Sequence, residues 1–188
     1  MHLVTKDLPD HAVLRRPAEK VKFTLDENTQ QFIEKFKLFF ANLKSPLGKP
    51  AGLAATQVGM SLRIVIIQVP PEAKTIRKDV YDALPPTILI NPSYEPILDA
   101  GENKDWEGCY SVIDKMGEVY RHTAIQYEAF NEDGEKLQGV ARGFLARLIQ
   151  HEVGHLNGEL YVDLIQSDCR YGTFDEMIKI RKQEMENR

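Results

Sequence analysis

From Leu62 to Gly139 the chain reads as short β-rich runs, and segments of helical spacing stand on either side of that stretch. Strand candidates are Arg63–Val69, Thr87–Asn91, Glu118–Arg121, Ala124–Phe130 and Lys136–Ala141. The last two flank Asn131-Glu132-Asp133-Gly134, a hairpin signal. Before the strands, Thr24-x-x-Glu27 has the form of a capping box. Phe32, Ile33, Phe36, Phe39, Phe40 and Leu43 then recur on one helical stripe, and Pro46 and Gly48 are the expected stop. Helical pattern returns over Gly143–Leu156, ended by Asn157-Gly158, and a charged surface helix is expected over Phe174–Glu186. Helices at each end of a mostly antiparallel sheet predict an α+β fold. With 188 residues and neither a linker nor a repeat, one domain spanning 1–188 is expected.

Composition narrows the function. Hydrophobic residues make up 43% of the chain and charged residues 28%, a globular balance that excludes a disordered chain. Lys and Arg number 24 against 28 Asp and Glu, a net charge of −4, so a nucleic-acid-reading surface is not expected. Apolar runs such as Ile64–Ile67 are too short to span a bilayer, and the first residues carry no signal-peptide pattern. Cys109 and Cys169 make no disulfide framework. A soluble protein of a reducing compartment is the expectation.

The chemistry concentrates in His151-Glu152-Val153-Gly154-His155, inside the second helix. At about 100° per residue, His151 and His155 fall on one face a turn apart, so both imidazoles reach one ion. Glu152 flanks that face, where it can act as a general base, and Val153 turns to the core. Two histidines are an incomplete site, since catalytic metals usually have three protein ligands. Glu159 and Asp163 are candidates downstream, and Cys109, in Glu107-Gly108-Cys109-Tyr110-Ser111, is a candidate upstream that Gly108 would allow to come close. A third element, Gly52-Leu53-Ala54-Ala55-Thr56-Gln57, has small residues that allow close backbone approach and a Gln57 amide able to donate to an oxyanion.

Taken in order, Pro50–Gln57, Glu107–Ser111 and Gln150–His155 resemble the G-φ-G-φ-A-A-x-Q, E-G-C-x-S and Q-H-E-x-D-H segments of the peptide deformylases, and Leu14–Val21 resembles that family's N-terminal segment. The resemblance implies mostly antiparallel β-sheets packed around a central metal-binding helix. It implies removal of the formyl group from the N-terminal formyl-methionine of nascent polypeptides, in the cytoplasm or, in a eukaryote, an organelle. Cys109, His151 and His155 are then the metal ligands, for Fe2+ with Ni2+, Co2+ or Zn2+ able to replace it. Glu152 becomes the base, and the Gln57 amide and the Tyr110 backbone N–H face the formyl oxygen. Phe144 and Leu148, on the helix face of His151, are expected to line the methionine pocket, and backbone at Gly52 and Leu53 to pair with the peptide. The ribosome near its exit tunnel is an expected partner. A zinc endopeptidase with a downstream ligand and a degenerate, non-catalytic relative are the competing readings.

Three positions carry unusual expectations. Pro50 replaces a family glycine and fixes a turn. Arg147, one turn before His151, is expected to snorkel outward. Gly154 stands where the family has an acid, which leaves Arg121 to reach solvent or find another carboxylate. Asp at position 154 is expected to be tolerated, and to raise the melting temperature, unless a neighbouring side chain already fills that space.

Overall fold

The computed structural model describes residues 1–45, 48–75 and 77–186. Its helices are α1 (Glu27–Ala41), α2 (Gly143–Leu156) and α3 (Phe174–Glu186). Its strands are β1 (Gly52–Ala54), β2 (Ile64–Val69), β3 (Leu84–Pro96), β4 (Glu102–Cys109), β5 (Val112–His122), β6 (Ala124–Phe130), β7 (Lys136–Arg142) and β8 (Tyr171–Thr173). All named strand pairs are antiparallel, in two sheets of order β1-β2-β3-β6-β7 and β4-β5-β8.

The sequence of β2, Ile-Val-Ile-Ile-Gln-Val, explains the layering. Every residue of this strand is buried, because each face of the sheet is covered by a helix. Ile64 and Ile66 meet Phe32, Ile33, Phe36 and Phe40 of α1 on one side. Val65, Ile67 and Val69 meet Leu148, Ile149, Val153 and Leu156 of α2 on the other. The far side of α2 faces the second sheet through β5. Helix α2 is therefore central, and its chemistry-bearing face lies between the sheets.

Several local expectations are revised. Helix α1 is capped by Asp26, whose carboxylate accepts from Thr29 N at 2.7 Å, and not by a Thr24 box. Asp26 is one residue before the helix, the position from which a short acid reaches the free N–H groups. The helix ends at Ala41, and Pro46 lies outside the described residues. Strand β3 runs on past Asn91, where a register shift and a positive φ of 52° make a bulge. There the Asn91 amide bonds both backbone groups of Val21 at 2.9 Å, which ties the N-terminal segment to the sheet. The hairpin forms as expected, with Phe130 opposite Lys136 and Gly134 at φ 80°. Helix α3 is only partly a surface helix, since Met177 is buried against Trp106 and Met116.

Candidate active site and metal centre

Helix α2 is fixed before it presents any ligand. The Gln150 amide accepts from His122 N at 3.1 Å and donates to His122 O at 2.9 Å, clamping the helix to the end of β5. One residue later, His151 projects toward β4. His155 follows one turn on, with its Nε2 3.2 Å from His151 Nε2. Cys109 closes the group from the end of β4, where the register with β5 slips, and its sulfur is 3.2 Å from His155 Nε2. All three ligand atoms lie within 4.8 Å of one another.

Tetrahedral coordination at the usual Zn–N and Zn–S lengths would separate such donors by about 3.3–3.6 Å. The observed spacing is close to that, and one thiol with two imidazoles suits a borderline divalent ion. Glu159 and Asp163 do not join the group. Asp163 pairs with Arg15 at 2.5 Å, and Glu159 turns toward Arg121.

Glu107, two residues before Cys109, organises the site. Its place in the Glu107–Ser111 segment carries no sign of this role. Its Oε2 accepts from His151 Nδ1 at 2.8 Å, which leaves Nε2 of that ring free to face an ion. The same carboxylate takes two 3.0 Å bonds from Arg121 and one of 2.8 Å from Arg147 Nη1. Arg147 is thus a buried partner and not an outward-snorkelling one. Its side chain also donates to Asn103 Oδ1 at 3.0 Å and to the carbonyls of Asn103 and Val119. Arg121 likewise finds its carboxylate in Glu107. Burial opposes ionisation of Glu107, but the Arg121 and His151 contacts outweigh it and hold its carboxyl well below the usual range.

Electrostatics then separates the two histidines. Burial pulls both down, but hydrogen bonds to Cys109 and Glu107 raise His151 to about 10, while His155 stays well below its ordinary value, so ion uptake at His151 must displace a proton from its Nε2. Glu152 is 3% exposed, and burial pushes it up to about 7. Its Oε2 has no hydrogen-bond partner among the described residues.

The small-residue segment earns its composition at Gly52. A Cβ there would stand 2.8 Å from Glu152 Cδ and 2.9 Å from Leu148 Cδ1. Close approach therefore depends on Gly52, and not on Gly108, where a Cβ would make only ordinary contact at 3.5 Å with Met116. Pro50 holds its turn through its carbonyl, which accepts from Gln68 Nε2 at 2.6 Å. Gln57 Oε1 accepts from Ala54 N at 2.9 Å, and its Nε2 donates to Ser111 Oγ at 3.2 Å and to Cys109 Sγ at 3.4 Å.

A cleft of about 980 Å³ opens over this group, and Gly52, Gln57, Cys109, Tyr110, His151 and Glu152 line it. Phe144 and Leu148 stand in its wall, whereas the Leu53 side chain is fully buried on the α1 side of the sheet. At Gly154 a neighbouring side chain does stand in the space: Glu159 Oε1 lies 3.0 Å from where a Cβ would be, so an Asp there requires the tip of Glu159 to give way by a few tenths of an ångström.

A Cys-His-His group that could hold an ion, together with a buried carboxylate in one apolar cleft, is an arrangement suited to a metal-dependent hydrolase. Known proteins agree. The chain is 44% identical over 138 residues to peptide deformylase 2 of Rickettsia conorii, an alignment covering 72% of this chain and 67% of that protein. Among solved structures, a class I type b peptide deformylase from Acinetobacter baumannii superposes with a TM-score of 0.71 at 26% identity, covering 88% of this chain and 99% of that one. A peptide deformylase from Synechococcus elongatus, solved in complex with actinonin, gives 0.69 at 31% identity, covering 89% and 80%. The sequence profile of the polypeptide deformylase family matches residues 4–171, and the chain belongs to that family.

Proposed function

We propose that this deformylase removes the formyl group of N-formylmethionyl peptides at the Cys109–His151–His155 site, with Glu152 as its general base. The observation that carries this reading is the buried Glu152 carboxylate, its Oε2 without a hydrogen-bond partner among the described residues, in the same cleft as the three candidate ligands. Cys109, His151 and His155 would hold a divalent ion, Fe2+ in the native enzyme, with Ni2+, Co2+ or Zn2+ able to take its place. Such an ion supplies Lewis acidity, lowering the pKa of a water and drawing charge from the formyl oxygen.

The remaining roles fall to the chain itself. Glu152 takes the proton of the attacking water, and later delivers it to the leaving amine as formate departs. The Tyr110 backbone N–H, and the Gln57 Nε2 hydrogen that otherwise rests at 3.4 Å on Cys109 Sγ and turns to substrate, steady the negative charge that grows on the formyl oxygen. Phe144 and Leu148 receive the methionine side chain. Among the described residues strand β1 pairs only with β2, which leaves its outer edge at Gly52 for an extended peptide; Leu53 contributes backbone alone. Recognition through backbone suits many nascent sequences, and we assign the enzyme to the cytoplasm, or to an organelle in a eukaryote, near the ribosomal exit tunnel. Among the described residues no helix is long and apolar enough to cross a membrane.

Formate release from a formyl-methionyl tripeptide, with Fe2+ supplied anaerobically, tests the reading. One formate per free amine is expected, with internal peptide bonds intact. Internal cleavage without formate, or binding without turnover, would overturn it.

A further inference from the structure

We infer that Glu159 is a positioning residue for the metal centre: it supplies, from the turn after α2, the carboxylate that holds the outer edge of Arg121 and that residue 154 of the helix does not provide. The inference rests on the Cys-His-His reading of the site.

The geometry runs through four side chains. Gly154 is buried in the last turn of α2, and Glu159 Oε1 lies 3.0 Å from the point where its Cβ would be. That is tighter than side chains ordinarily tolerate, so the carboxylate uses the space a side chain at 154 would take. The backbone holds it there, because Glu159 N donates to Gly154 O at 2.9 Å and Gly158 turns the chain at φ 83°. From this place Glu159 Oε1 is 3.8 Å from Arg121 Nη1.

Arg121 has just that edge to offer. Its Nε and Nη2 are committed to Glu107, and its side chain is 6% exposed. Glu107 Oε2 in turn is shared by Arg121 Nη2 and His151 Nδ1. Glu159 thus stands as an ion-pair partner at one edge of a planar guanidinium whose other edge orients the carboxylate that fixes the His151 ring. A pair at 3.8 Å with Glu159 40% exposed adds little to global stability. Its effect should appear in ion affinity, through the orientation of His151, more than in the melting temperature.

Glycine at 154 and glutamate at 159 are then one device, and moving the carboxylate tests it. Co2+ affinity is measured by chelator competition in wild type, Glu159→Ala, Gly154→Asp and Gly154→Asp/Glu159→Ala, with the thiolate-to-cobalt absorption as the spectroscopic signature. Glu159→Ala should weaken Co2+ binding about tenfold, at the low end for a residue acting through a ligand's partner, with little change in melting temperature. Gly154→Asp alone should also weaken it, since two carboxylates then compete for one space. The double variant should recover most of the loss, because the carboxylate returns to Arg121 from the helix. Wild-type affinity in Glu159→Ala, or no recovery in the double variant, would overturn the inference alone. A wild-type protein without the thiolate signature would overturn the metal reading, and this inference with it.

Discussion

Glu107→Gln tests the site at the point where most of its order converges. The substitution keeps the shape of the side chain and removes its charge. In the native chain that charge receives two bonds from Arg121, one from Arg147 and one from His151. Both guanidiniums are buried, at 6% and 4% side-chain exposure, so neither can turn to water. Breaking a buried ion pair from one side costs about 3–5 kcal/mol. Arg147 keeps Asn103 and the carbonyl of Val119, which favours the lower end. At about 2–4 °C per kcal/mol for a chain of this size, a loss of about 3 kcal/mol lowers the melting temperature by about 6–12 °C. The pH dependence has a definite sign. Glu107 is held below its ordinary value of 4.5, so its contribution is complete above that pH and is lost as pH falls through the folded-state value. Wild type and variant should therefore differ at pH 7 and converge on acidification below about 4.5. Calorimetry from pH 7 downward measures this. A gap under about 2 °C at pH 7, or one that does not narrow in acid, would refute the reasoning.

Three further outcomes follow from the same geometry. Gly52→Ala should push a methyl into Glu152 and Leu148, costing about 1–3 kcal/mol and lowering kcat while the metal content is unchanged; full activity would contradict this. Glu152→Gln should lower kcat about 10²–10⁴-fold in fully metallated protein, since the amide cannot take the water proton; a near-normal kcat would point to another base. Cys109→Ser should lose its metal and Cys169→Ser keep it, as elemental analysis reads directly, since Cys109 alone of the two stands with His151 and His155.

What the sequence makes legible is what local spacing encodes. Ala124–Phe130 and Gly143–Leu156 match strand β6 and helix α2, because periodicity and turn residues agree there. The one-face placement of His151 and His155 follows from helix geometry alone. Strand β4 escapes such reading: Glu-Asn-Lys-Asp-Trp-Glu-Gly-Cys has no β-branched residue, and becomes a strand by pairing along β5. Strands β1 and β8, of three residues each, are too short for a period to show. Glu107 is silent for a different reason. Its partners stand 14, 40 and 44 residues away, and no short pattern announces an ion pair that only tertiary packing assembles. Arg147 is hidden on the same ground, since a cation on an apolar face snorkels outward only when no buried carboxylate meets it.

The central claim is that one thiolate and two imidazoles, and no carboxylate from downstream of the helix, hold the ion beside Glu152. X-ray absorption at the metal edge of the Co2+-loaded protein tests it most directly. One sulfur scatterer at about 2.3 Å with two imidazole nitrogens at about 2.0–2.1 Å is expected, and the sulfur shell should be lost in Cys109→Ser. A first shell of nitrogen and oxygen alone in the wild-type protein would contradict it.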